Sequence, residues 1–225
     1  MDELGEIEVD INCNNLAGVY NSYLLHHYAR LDNRFPILCM VVKRWSDATF
    51  ISDAMNGFFN RDFKYSSFSY SIKMLVLHFL QCAVWPPILP NLRKIDPNRF
   101  GGIKYNVPLE KLQIFDRSPE LPPDRRRNCK TVAELLMAFF DYYARFDFEN
   151  QKISMPQARV LDRERPFRGA KVEIEGPFDH ENTARTVKSE ECLELIKDAF
   201  QRASHAYLGP APIAPTFNEI TTATY

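Results

Sequence analysis

The chain has 225 residues, enough to bury a sizeable core in one or two domains. An apolar fraction of 45% and a charged fraction of 25% are ordinary for a globular protein, and a net charge of −1 neither requires nor forbids a nucleic-acid partner. Five widely spaced cysteines (Cys13, Cys39, Cys82, Cys129, Cys192) show no Cys-x-x-Cys or Cys/His spacing, which argues against a structural zinc site, and no stretch approaches 18 clean apolar residues. With no basic segment leading into an apolar run at the start, the expectation is a soluble chain of a reducing compartment that does not enter a membrane.

Residues Ile7 to Ile11 alternate and read as a strand. Leu16 to Arg30 carries apolar side chains at 16, 19, 20, 23, 24 and 28, a helical stripe. Phe35 to Phe50, after Pro36, reads as a second and mostly buried helix. Ser69 to Val84 is a third, stopped by Pro86-Pro87, because consecutive prolines offer no helical donors. From Arg93 to Lys130 proline, glycine and charge predict a long irregular excursion. Thr131 to Phe148 predicts a strong helix, with Thr131 as N-cap and Glu134 three residues on. Lys152 to Met155 and Lys171 to Phe178 look like short strands, and Ser189 to Leu208 is an amphipathic helix. The tail from Gly209, rich in proline, is expected to be disordered. The fold class is therefore α+β and mostly helical.

Some residues break these patterns. Asp10 lies between Val9 and Ile11, where an ionised carboxylate is costly unless it meets a cation, a metal or several donors; a strand end facing water is the plainer reading. Lys43 interrupts "ILCMVVKRW", either snorkelling to solvent or reaching a cleft. "YSSFSY" (Tyr65 to Tyr70) offers two hydroxyls at a helix start, as N-caps or as a phosphate site. Arg125, Arg126 and Arg127 form either a solvated surface or a grip on a nucleic-acid backbone. The polar loop from Glu175 to Thr186 contains Asn182, whose amide could read a base edge or simply shape a turn.

The collinear series "VDINCNNLAGVYNSYLLHHYARLDNRF", "LCMVVKRW", "SSFSYSIKMLVLHFLQ", "PPILPNL", "ELLMAFFDYYARFDF" and "IEGPFDHENTARTV" closely resembles the template-independent RNA nucleotidyltransferases. These are the cytoplasmic poly(A) polymerases of the germline-development type and their terminal uridylyltransferase relatives. The resemblance runs from about Ile7 to Tyr207. It implies a polymerase-β-like palm remnant over 1–15 and a helical central and poly(A)-polymerase-associated domain over 16–208, with a nucleotide-recognition loop near 175–186. Residues 209–225 form the tail.

The resemblance also implies the site. Asp10 matches the third of three palm carboxylates that hold two magnesium (or manganese) ions. Asn21 and Ser22 match the pair at the ribose, Lys43 a lysine on the triphosphate, and Ser67 the serine on the terminal phosphate. Phe68 stands where the family's tyrosine stacks on the base, and Asn182 lies in the base-recognition loop. At Glu181 the uridylyltransferases often have histidine, so this residue favours adenylyl transfer. The implied activity is ATP-dependent polyadenylation of cytoplasmic RNA. Its partners would be an RNA 3′ end, ATP and an RNA-binding protein that recruits the enzyme to mRNA. The expected compartment is the cytoplasm, with the nucleus as alternative.

Three departures stand against full activity. The chain contains no Gly-Ser dipeptide and no Asp-x-Asp, the family's other metal-binding motifs, and only nine residues precede Asp10. One carboxylate cannot replace three around two metal ions. The second phosphate lysine of the family is Asp47 here, and "FFNRDFKY" lengthens the link between Gly57 and Ser66. The expectation is therefore a family member that is catalytically incomplete as this chain. Its alternatives are an inactive paralogue that binds RNA, ATP or a protein, and a uridylyltransferase.

Overall fold

Asn15 caps the first helix: its side-chain oxygen accepts from the Gly18 N–H at 2.9 Å, satisfying one of the free donors at a helix start. In a computed structural model, residues 13, 15–49, 51, 68–105, 119, 121, 126–163 and 169–208 are described. The expected strand at Ile7–Ile11, most of the expected palm remnant and the tail from Gly209 lie outside them. Helix α1 runs Leu16–Leu31 and α2 runs Arg34–Ala48, close to the helices read from the pattern. Arg34 sets the corner between them: its guanidinium grips Asp32 and also donates to the carbonyls of Asn128 at 2.9 Å and Lys130 at 2.7 Å.

Helix α3 (Phe68–His78) is followed by a π-helical turn, Phe79–Ala83, where the sequence predicts one continuous helix. The cause lies downstream. The Leu80 carbonyl, which a regular helix would pair with Val84, accepts instead from Ile88 at 2.9 Å and Leu89 at 3.1 Å, which return after the Pro86-Pro87 break. Two single-turn helices follow, α4 (Leu92–Ile95) and α5 (Pro97–Phe100), within the stretch expected to be irregular.

Helix α6 (Val132–Ala144) starts as expected. Thr131 and Glu134 form a reciprocal capping box, each side chain holding the other's backbone N–H. Three strands follow: β1 (Gln151–Ser154), β2 (Arg159–Asp162) and β3 (Ile174–Glu175). They form a sheet of order β2-β1-β3, with β1 antiparallel to β2 and parallel to β3. Helix α7 (Glu190–Leu208) packs on α6.

The core is dominated by aromatic rings from several elements. Trp45 of α2 meets Phe140 of α6 at 4.7 Å and Phe200 of α7 at 5.1 Å, while Phe79 from the π-turn sits edge-on to Phe139 at 5.5 Å. Such edge and tilted contacts add to the large apolar area each ring buries. This core fixes α2, α3 and α6 relative to one another, and with them the mouth of the cavity described next.

Candidate nucleotide site

Three separate segments converge on a cavity of about 410 Å³. Asn21 and Ser22 come from α1, Tyr70 and Lys73 from α3, and Asp179, Glu181, Thr183 and Arg185 from the loop after β3. Tyr70 and Lys73 are three residues apart, so they share one face of their helix.

The loop is built locally before it meets the helices. Gly176 donates to the Glu181 carbonyl at 2.8 Å and Thr183 to the Ile174 carbonyl at 2.9 Å, closing a tight excursion from Glu175 to Asn182. His180 sits at φ +58°, and Asp179 caps the Glu181 N–H at 3.2 Å. A Cβ on Gly176 would lie 2.4 Å from that Asp179 carboxylate oxygen, so a side chain there would push the carboxylate off its cap. Ser71, buried on α3, donates to the Thr183 carbonyl at 2.9 Å and so fastens the loop to the helix. The Phe178 ring lies 5.6 Å from Tyr20 of α1, with the Arg93 guanidinium over its face.

Buried polar atoms mark the cavity chemically. Asn21 Oδ1, the Tyr70 hydroxyl and Thr183 Oγ1 have no hydrogen-bond partner among the described residues. An unpaired buried polar atom costs free energy, and such atoms concentrate where a ligand or water completes them. Burial, reinforced by the Asp179 charge, pushes the Tyr70 hydroxyl well above its ordinary range, so it stays protonated and can donate.

The sequence-derived residues divide. Asn21 and Ser22 lie on the cavity, as does the loop expected to recognise the base. Lys43 is not among its lining residues; its ammonium is paired with both oxygens of Asp47, at 2.8 and 2.7 Å. Asn182 is buried, and its amide serves the backbone, the turn-shaping use of the two that the sequence leaves open. It accepts from Ile174 at 3.0 Å and Ala184 at 2.9 Å, and it donates to the Val172 carbonyl at 2.8 Å. Asn182 thus positions the loop, while its neighbours at 181 and 183 face the cavity. Asp10, Ser67 and the Phe68 side chain lie outside the described residues. Tyr70, Lys73 and Thr183 were not singled out by pattern. A lone lysine inside the apolar run "SIKMLVLH" was the available signal.

Asp10, the ligand that the resemblance implies for magnesium, lies outside the described residues. Among the described residues, the one acidic group close enough to share an ion is Glu149, Glu190 and Glu194, all exposed. Lys197 already pairs with Glu149 at 2.7 Å and Glu194 at 3.0 Å, and Lys171 pairs with Glu190. Lysines therefore already neutralise these three carboxylates.

Known proteins resemble this chain in sequence and in fold. The model of the Cid1 family poly A polymerase (PAP-associated) domain matches residues 131–182, from the cap of α6 to Asn182. The human poly(A) RNA polymerase GLD2 is 36% identical over 208 residues, 91% of this chain. The chain belongs to the Cid1/GLD2 nucleotidyltransferase family. The GLD2-B polymerase of Xenopus laevis is 34% identical over 206 residues, 90% of this chain. A solved GLD-2/RNP-8 complex superposes with a TM-score of 0.70 at 31% identity over 94% of this chain, and a structure of Cid1, an RNA terminal uridylyl transferase, with 0.71 at 25% over 92%. The chain spans 40% of the human and 38% of the Xenopus polymerase, and 60% and 61% of the two solved family members.

Proposed function

We propose that the chain serves template-independent addition of adenylate to the 3′ ends of cytoplasmic mRNA, with ATP held in the cavity between α1, α3 and the 179–185 loop. The observation that carries this reading is the convergence there of Asn21 and Ser22, the ribose pair by resemblance, with three buried polar atoms that lack partners among the described residues. Asn21 Oδ1 suits a ribose hydroxyl, and Asp179 and Glu181 suit a base. Carboxylates only accept hydrogen bonds, so they favour adenine, which presents an exocyclic amino group, over uracil with its two carbonyls. In the reaction, the RNA 3′-oxygen attacks the α-phosphorus in line and pyrophosphate leaves. The residues of this chain orient ribose, base and phosphates for that attack. Magnesium or manganese at Asp10 belongs to the proposal by resemblance alone. An RNA-binding protein would bring the mRNA, by analogy with the assembly of GLD-2 with RNP-8.

A second reading, a non-catalytic paralogue that binds nucleotide or RNA, is favoured by Asp47 paired to Lys43 on the helix where the family has a second phosphate lysine. Two measurements on the purified 225-residue chain separate the readings. Calorimetry should give ATP binding at least about threefold tighter than UTP, a fraction of one hydrogen bond's worth. An extension assay with an oligoadenylate primer, ATP and magnesium should give negligible tails, because the sequence has no Asp-x-Asp. Tails growing at rates typical of active relatives would overturn the expectation that this chain is catalytically incomplete, and the non-catalytic reading with it. No ATP binding at millimolar concentration would overturn the nucleotide site and leave a protein-interaction module.

A further inference from the structure

We propose that Lys73, and not Lys43, is the principal phosphate-binding cation of this chain, an inference that rests on the cavity holding a nucleoside triphosphate. It begins with Asp47. The Lys43–Asp47 pair lies on α2 with side chains 40% and 46% exposed, and it carries no net charge. A triphosphate beside it meets attraction and repulsion of similar size, so the pair contributes little net field.

Lys73 differs in each respect. Its neighbours Ser71, Ile72, Met74 and Leu75 are all buried, at 2% exposure or less, whereas Lys73 is only partly buried and lines the cavity. A lysine in such a helix needs an outlet for its ammonium, and the cavity is that outlet. Among the described residues no carboxylate forms an ion pair with it. One turn earlier on the same helix face stands Tyr70, whose hydroxyl is buried without a partner among those residues. A cation and a neutral donor side by side suit a phosphate oxygen.

Helix α3, which carries Lys73, packs against α2, so Lys73 lies on the element next to the helix that carries Lys43. Asp179, Glu181 and Arg185 enter the cavity from the loop, so the loop brings one more negative than positive charge while Lys73 brings the cation of α3. A nucleotide fits with its phosphates toward α3 and its base toward the loop.

The test is calorimetry of ATP and adenosine with the full chain and with Lys73→Met, Lys73→Arg and Lys43→Ala. Lys73→Met should weaken ATP by about tenfold or more, as expected for loss of a charge-assisted hydrogen bond, and leave adenosine within about twofold. Lys73→Arg should keep most of the affinity, and Lys43→Ala should weaken ATP less than Lys73→Met does. Thermal unfolding of Lys73→Met within a few degrees of the parent excludes loss of fold; if it fails to fold, the salt dependence of ATP binding by Lys73→Arg and Lys43→Ala decides. The inference is overturned if Lys73→Met binds ATP as the parent does, or if Lys43→Ala is the more damaged variant. A parent chain that binds neither ATP nor adenosine overturns the nucleotide site itself.

Discussion

Tyr70 and Thr183 each bury a hydroxyl that pairs with nothing among the described residues, and the folded chain pays desolvation for both. Removing such a hydroxyl should therefore cost no stability, while a ligand that completes it should notice the loss. Tyr70→Phe and Thr183→Val are expected to leave the unfolding free energy within about 0.5 kcal/mol of the parent, yet to weaken ATP about fivefold each, the worth of one neutral hydrogen bond. Paired urea titrations and calorimetry check this. A large stability loss with unchanged ATP affinity would mean that the hydroxyls serve the fold. Sequence reasoning reached only part of this site, for a physical reason. Asn21 and Ser22 were legible because motif order carries them, and Lys43 because a lysine breaks an apolar helix. Lys73 breaks one equally well. Which of the two faces the cavity depends on how α2 and α3 pack, and no local pattern encodes that.

Besides its backbone pairs and the Ser71 tie to α3, the loop after β3 depends on one buried side chain of its own. Asn182 makes three buried hydrogen bonds to backbone on both sides of the excursion, joining Val172 and Ile174 to Ala184. Asn182→Ala would strand two N–H groups and a carbonyl, at a cost of about 3 kcal/mol. Urea unfolding should show that loss, with ATP binding falling as the loop detaches. A change below about 1 kcal/mol would mean that water replaces the amide and the loop does not depend on it. The sequence pointed to this residue and left both uses open, because an asparagine in a polar loop looks the same whether its amide faces a base or the backbone. The strands were partly legible for a related reason. β1 and the apolar part of the 171–178 run stood out, whereas β2, "RVLD" on the edge of the sheet, has exposed charged ends and only half-buried Val160 and Leu161. The π-turn was invisible because its cause, the return of Ile88 and Leu89 to Leu80, is a contact made across a chain reversal.

Across the whole molecule, helix content followed from periodicity, but the core that aligns the helices also hides a titratable group. His78 is fully buried among the rings of Tyr142, Tyr143 and Phe146. Tyr143 donates its hydroxyl proton to the Leu75 carbonyl at 2.9 Å, so it accepts from His78 Nδ1, also at 2.9 Å, and the imidazole is neutral with its proton on Nδ1. Burial lowers its pKa from 6.5 to about 4. In the window between those values the unfolded chain takes up a proton that the folded chain refuses, so acid favours unfolding. The contribution of His78 is fully present above pH 6.5 and is lost as pH falls toward 4, amounting to about 3 kcal/mol over the window. His78→Gln keeps a donor for Tyr143 and removes the titration. It should lower Tm at pH 7.5, where the imidazole packs better, but flatten the fall between pH 6.5 and 4.5. Carboxylates held below their usual range by exposed contacts, such as Asp147 and Glu190, act alike in both proteins. Parallel Tm curves for parent and variant across that window would show that the imidazole reaches solvent, and that the aromatic core at α3 and α6 opens more readily than its packing implies.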